Sequence, residues 1–205
     1  RKKKGVSGFR LYNLETKKLI FESEKYQTCE SANFSPDNKL IILTAEKLDG
    51  VNCLIIYNIE SGKPIKELTH INKFIYADIS NNLNLIAGGT NKGEVIIWRA
   101  PKFEKQILTK TKGEVPEIHI HPKNERVAAV SFNNGNDYDF LFFDLTKEPI
   151  KPVEIYSSPT NQQRWWVESN YSKSGNNLIC VPPRGVQALG HCRHRTSSHS
   201  RERPR

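Results

Sequence analysis

Four stretches of the chain share one outline, a polar turn set between a short strand-like run and a longer apolar run. They are "NFSPDNKLIILTAEK" (33–47), "DISNNLNLIAGGT" (78–90), "HIHPKNERVAAVS" (119–131) and "NYSKSGNNLICV" (170–181). Aligned on Ser35, Ser80, His121 and Ser172, they step by 45, 41 and 51 residues. A second landmark, aromatic at Tyr12, Tyr57, Trp98 and Phe143, steps by 45, 41 and 45. Two landmarks agreeing on one period define repeated structural units, stacked so that each hides what its neighbour cannot bury alone.

Each unit reads as four strands. In the clearest copy, "YQTCESANF" is a first strand, "SPDN" a turn, "KLIILTAE" a second strand, "CLIIYNI" a third, "ESGK" a turn and "PIKEL" an outer strand. The second and third strands carry near-continuous apolar runs, as strands covered on both faces do. The outer strand mixes Lys63, Lys66 and Glu67 into its run, which protects a solvent-side edge from stray pairing. The predicted fold class is all-β: a β-propeller of four-stranded antiparallel blades, three complete with a half-blade at each end.

"GGTNKGEVIIWRA" (88–100) resembles the hairpin between second and third strands of a WD40 repeat, and "FSPDNKLIILTA" resembles that family's turn and following strand. The resemblance covers about residues 5–181 and implies a propeller that presents loops to protein partners. Where the family carries Trp-Asp, this chain has Tyr12-Asn13, Tyr57-Asn58, Trp98-Arg99 and Phe143-Asp144. The family's Gly-His pair is absent from every copy. The resemblance therefore implies a divergent, WD40-like chain whose blades lean on apolar packing rather than on a buried His–acid network.

Three blades are expected, over about 26–70, 71–111 and 113–157. Ahead of them come a third and an outer strand ("GFRLYNL", "KKLIFE"), and after them a first and a second strand ("RWWVESNY", "NNLICV"). Two arrangements satisfy this order: a piece of a larger propeller, or two half-blades combining to close a four-bladed ring. A seven-bladed ring would need roughly 300 residues. The chain contains no Met and opens on "RKKKG", so we expect a portion of a longer protein.

The formal charge of +9 resides in the ends. Residues 1–4 carry four positive charges, and residues 182–205 carry six Arg against one Glu, which leaves 5–181 formally neutral. A phosphate-binding domain needs its basic residues on the folded surface, so nucleic acid is not expected to bind the folded body. The division is thus a basic end (1–4), a propeller (5–181) and an Arg-rich tail of different composition (182–205), expected to be disordered. No run approaches the roughly 18 apolar residues of a membrane helix. Cys29, Cys53, Cys180 and Cys192 form no CxxC pair, and the first three lie in or beside apolar runs. Reduced core thiols in an intracellular protein, cytoplasmic or nuclear, are the expectation. The glycosylation-type triplets at Asn33 and Asn170 fall in the repeated turn, which favours Asn and Ser for local hydrogen bonds.

Several residues invite a chemical reading. His119 and His121 are two apart and share a face if extended, which is metal-ligand spacing on a strand; they also occupy a repeat position before a turn. "GHCRH" at Gly190 offers soft-metal ligands within the tail. Asp137 and Asp139 form a carboxylate pair at strand spacing, without a partner acid or base. Trp165 and Trp166, after Arg164, read as strand packing or an exposed anchor. None converges with others into a catalytic set, so no catalytic, cofactor or metal residue is assigned. The expected role is a non-enzymatic scaffold for protein contacts and complex assembly, with an unidentified protein or peptide partner. Two alternatives remain open: an enzyme or a small-molecule or metal binder using the central channel, and an RNA-associated scaffold working through the basic ends.

Overall fold

The computed structural model describes residues 7–80, 83–122, 126–132, 138–158, 168–172, 174 and 178–181. These form fifteen strands, all in antiparallel sheets. The first sheet holds β1 (Ser7–Asn13), β2 (Lys18–Phe34), β3 (Leu40–Lys47), β4 (Asn52–Asn58) and β5 (Lys63–His70). The second holds β6 (Phe74–Ile79), β7 (Leu85–Thr90), β8 (Glu94–Arg99) and β9 (Glu104–Lys110). The third holds β10 (Glu117–Ile120), β11 (Arg126–Phe132), β12 (Tyr138–Asp144) and β13 (Pro152–Ser158). A two-stranded sheet follows, β14 (Glu168–Tyr171) and β15 (Leu178–Val181). Strands one to four of each complete blade pair in sequence order, as the repeat predicts.

Burial follows the strand chemistry. All of Leu40–Ala45 in β3 and Cys53–Tyr57 in β4 are buried, while β5 is mostly exposed. Alternate side chains then face opposite neighbours. Leu40, Ile42, Leu54 and Ile56 join Phe74, Ile86, Ile96 and Trp98 in one core between the first and second sheets. Leu85, Ala87, Val95 and Ile97 join Ile118, Val127, Leu141 and Phe143 between the second and third. The second sheet thus buries one face against the sheet before it and the other against the sheet after it. The aromatic landmarks Tyr57, Trp98 and Phe143 all point to the preceding side and are 5%, 3% and 0% exposed.

The start of the chain departs from two separate strands. "KKLIFE" and "YQTCESANF" belong largely to one 17-residue strand, β2. Its first half pairs with β1, and from Tyr26 its second half pairs with β3. The β1–β2 hairpin lies against the first blade, where Phe9 and Phe21 ring centroids sit 5.0 and 5.6 Å from that of Tyr57. The segments 1–4 and 182–205 fall outside the described residues.

The repeated turn has a physical basis. The Ser35 hydroxyl accepts from Leu40 N at 3.0 Å, and Ser80 does the same for Leu85 N at 2.9 Å. Each hydroxyl satisfies an N–H at the mouth of the hairpin, the role that selects Ser in turns.

A loop face and the polar network beneath it

The connections β3–β4 and β5–β6 meet at one end of the first blade. Asn52, at the start of β4, pairs with His70 and donates its side-chain amide to the Ile71 carbonyl at 3.3 Å. The β3–β4 turn is fixed by its own bonds, from Val51 N to Asp49 Oδ1 at 3.1 Å and from Lys47 N to Val51 O at 2.9 Å. Across its flank Lys47 Nζ pairs with Glu67 at 2.5 Å. On these pinned loops Leu48 is 52%, Val51 37% and Ile71 86% exposed. Three aliphatic side chains thus face outward on loops held in one shape.

The residues on either side of Ile71 enter a buried polar cluster. Glu94, opening β8, receives His70 Nε2 at 2.8 Å, Asn72 Nδ2 at 2.7 Å and Thr90 Oγ1 at 3.3 Å on the same carboxylate oxygen. Glu94 N donates in turn to Thr90 Oγ1 at 3.0 Å. Burial pushes this carboxyl up, but the hydrogen bonds from His70, Asn72 and Thr90 outweigh it and hold Glu94 below its ordinary range. An ionised carboxylate only accepts, so His70 carries its proton on Nε2. The His70 ring packs on Phe74 at 5.5 Å, and Phe74 on Trp98 at 5.8 Å. The second blade therefore does not lean on apolar packing alone, which corrects the expectation drawn from the missing Gly-His pair. The His is the last residue of β5, unaccompanied by Gly, and its acid is Glu94, the first residue of β8. A His four residues ahead of a first strand, with an acid opening the third, is the signal that was there to find.

A second polar line joins the first strands of successive blades. Asn33 Nδ2 donates to Ala77 O at 2.8 Å, and Tyr76 Oη donates to Asn33 Oδ1 at 3.2 Å. One blade on, Ile120 N donates to Asp78 Oδ2 at 2.8 Å, and Ile79 N to Asp78 Oδ1 at 2.8 Å. Burial raises the Asp78 carboxyl above its ordinary range, opposed by the Ile120 N–H and the nearby His119. Further on, Ser169 Oγ donates to Glu117 Oε2 at 2.5 Å. The repeat position read as a turn residue is thus also an inter-blade staple.

His119 and His121 are not brought together. The His119 ring sits edge-on to Tyr76 of the preceding blade at 5.5 Å, and His121, past the end of β10, sits edge-on to Tyr171 at 5.1 Å. His119 Nε2 lies 3.5 Å from Glu117 Oε2 and is enclosed without a hydrogen-bond partner. Among the described residues no group of three or more His, Cys, Asp or Glu is placed to hold a metal ion. Asp139 lies within β12 opposite Ser131 and Ser157, while Asp137 falls outside the described residues. Arg164, Trp165, Trp166 and the Gly190 segment also lie outside them. Cys29 and Cys53 are free thiols, flanking Ala45 from opposite sides. Two strand spacings of about 4.8 Å separate them, beyond disulfide reach. Among the described residues no helix is long and apolar enough to cross a membrane.

No family model matches this chain, and no curated protein matches it. Its fold is found in solved structures. Hydrazine synthase of Kuenenia stuttgartiensis superposes with a TM-score of 0.68 at 14% identity, over 83% of this chain and 48% of that one. The β-propeller domain of Myceliophteria thermophila Cps50 (Swd1) superposes with a TM-score of 0.64 at 12% identity, over 86% of this chain and 56% of that domain. This chain spans about half the length of each. Sheets in sequence order, alternating inter-sheet cores and these neighbours define the chain as a β-propeller fold.

Proposed function

We propose that the chain is a divergent WD40-like propeller that works as a non-enzymatic scaffold, binding a protein or peptide partner and serving complex assembly. The observation that carries this reading is the loop face holding Leu48, Val51 and Ile71. Exposed aliphatic side chains on loops already fixed by hydrogen bonds lose little freedom on binding, which is how a preordered surface gains affinity. The polar groups beneath them are committed to one another, as a rigid support requires. The compartment that goes with this reading is a reducing one, cytoplasm or nucleus, in which core thiols such as Cys29 and Cys53 stay reduced.

The test is proximity cross-linking with the intact chain and with a Leu48→Asp, Ile71→Asp variant. A saturable partner recovered with the first and lost with the second, at unchanged melting temperature, supports the reading. Identical recovery by both, or a turnover measured with the purified chain, overturns it.

One observation favours a second reading, a ligand or metal held at the first strands: the enclosed, unpartnered His119 Nε2 beside Glu117. Titration with zinc would support it through stoichiometric binding that His119→Ala abolishes.

A further inference from the structure

The turn after the third strand is closed in one way in three of the four repeats. Thr16 N donates to Asn13 Oδ1 at 2.8 Å, Ser61 N to Asn58 Oδ1 at 2.8 Å and Thr146 N to Asp144 Oδ1 at 3.1 Å. A short side chain just past the aromatic landmark folds back on its own turn, as Asn and Asp do. The second blade has Arg99 at this place, and its turn closes through backbone alone, from Phe103 N to Arg99 O at 2.8 Å. The Arg99 side chain is thereby released from the turn.

Arg99 Nη2 reaches the third blade, where it donates to Leu145 O at 3.3 Å. A guanidinium has five N–H donors, and this is its one hydrogen bond among the described residues. The half-buried side chain lines a cavity of about 480 Å³. Ile97, two residues earlier on the same face of β8, is fully buried in the core shared with the third sheet and forms the cavity floor. In β9, Gln106 lies opposite Ile97 and Glu104 opposite Arg99, so both share that face. Because β9 is the outermost strand of its sheet, the cavity opens to solvent at the rim. It sits at the other end of β8 from Glu94, away from the loop face.

We propose that this cavity binds a carboxylate on a short aliphatic stem, held by Arg99; an acidic side chain of a peptide and a free small carboxylic acid both present that group.

Three features select such a ligand. The lining sets Arg99, Lys102 and Lys105 against Glu104, three positive charges to one negative, which draws an anion. The planar guanidinium fork matches the two oxygens of a carboxylate with parallel hydrogen bonds. Ile97, Ala100 and Pro101 give the methylenes of the stem an apolar seat. Glu104 does not fill the place itself. Its carboxylate lies 3.6 Å from Lys102 Nζ, and no ion pair joins it to Arg99 among the described residues. Its charge, on the same wall, opposes a second negative charge on the ligand and so favours a carboxylate over a phosphate.

NMR titration of the 205-residue chain tests this, followed at the Arg99 side-chain Nε–H. The probes are a capped pentapeptide with one central Glu, its Gln counterpart, butyrate and inorganic phosphate. A carboxylate probe should shift this signal saturably, and the Gln peptide should not. Followed through backbone amides of β8 and β9, Arg99→Gln should weaken binding at least about tenfold, the size of a lost charge-assisted bond. That variant keeps an amide donor for the Leu145 carbonyl, so its melting temperature should hold. Glu104→Gln should tighten binding about threefold, as removal of one exposed opposing charge does. Arg99-dependent binding of the Glu peptide identifies a protein source, and of butyrate alone a free acid; either supports the site. No carboxylate binding, equal binding by the Gln peptide, phosphate binding as tight as butyrate, or affinity indifferent to Arg99→Gln overturns it. If Arg99→Gln melts lower, Glu104→Gln decides, and unchanged affinity there overturns the assignment. The Leu48→Asp, Ile71→Asp variant should bind the probes as the native chain does, so the loop-face reading stands or fails separately.

Discussion

The side-chain amide of Asn33 donates to the carbonyl of Ala77 at 2.8 Å, so a residue that ends the first strand of one blade hydrogen-bonds the first strand of the next. Neither group serves its own sheet in this contact. Asn33→Ala should cost about 1 kcal/mol in chemical denaturation, the usual worth of one such bond. Asn33→Asp should cost more, because a carboxylate has no proton to give and faces a carbonyl oxygen. Equal stability of the two variants would remove the staple from the account.

At the equivalent place in the next blade, Asp78 accepts rather than donates, and burial holds its carboxyl above 3.8. A raised folded value means that the folded chain takes up the proton more readily than the unfolded one. The resulting stability is full below 3.8 and is lost as pH rises through the folded value. Asp78→Asn removes this dependence. The melting temperature of the native chain relative to the variant should therefore climb as pH falls from 7 towards 4.

Glu94 behaves in the opposite sense. Its folded value lies below 4.5, so its contribution is complete above 4.5 and fades as pH falls through the folded value. Against Glu94→Gln, the native chain should lose relative stability on acidification below that point. Glu94→Ala at neutral pH leaves His70, Asn72 and Thr90 without their acceptor and should cost about 3 kcal/mol. Thermal unfolding across a pH series reads both effects.

The pair of glycines in β7 is a packing requirement. A Cβ on Gly89 would come within 2.6 Å of both the Val115 carbonyl oxygen and its Cγ1. Backbone cannot yield as a flexible side chain does, so Gly89→Ala should destabilise by about 1–3 kcal/mol. Urea denaturation checks the figure, and a neutral result would mean that the second and third blades separate more easily than their shared core suggests.

Cys53 is fully buried, and burial pushes its thiol up to about 11. Since the thiolate is the reactive form, iodoacetamide at pH 8 should leave the Cys53 peptide unmodified in the folded chain and label it fully in denaturant. Peptide mass spectrometry distinguishes it from Cys29, which is only half-buried.

Much of the architecture could be read from residue order. "LIIL" and "LIIY" announced strands covered on both faces, and Leu40 to Leu43 and Leu54 to Tyr57 are buried with alternate residues facing opposite neighbours. Ser35 and Ser80 marked turns because a hydroxyl there meets a backbone N–H. The His70–Glu94 cluster was not read. His70 and Glu94 lie 24 residues apart, at the end of β5 and the start of β8, and no periodicity ties them. The continuity of β2 was missed for a similar reason, since two strand patterns in succession do not reveal whether the chain bends between them.

Periodicity and turn chemistry, both local, determined that this chain makes four-stranded sheets with two apolar faces, because a strand of alternating or continuous apolar residues has no other way to leave water. What tertiary structure alone decided is which polar groups meet. Asn33 with Ala77, Ile120 with Asp78, and His70 with Glu94 are all contacts between separate elements. Their energies depend on distances of a few ångström that only the stacking of whole sheets can set.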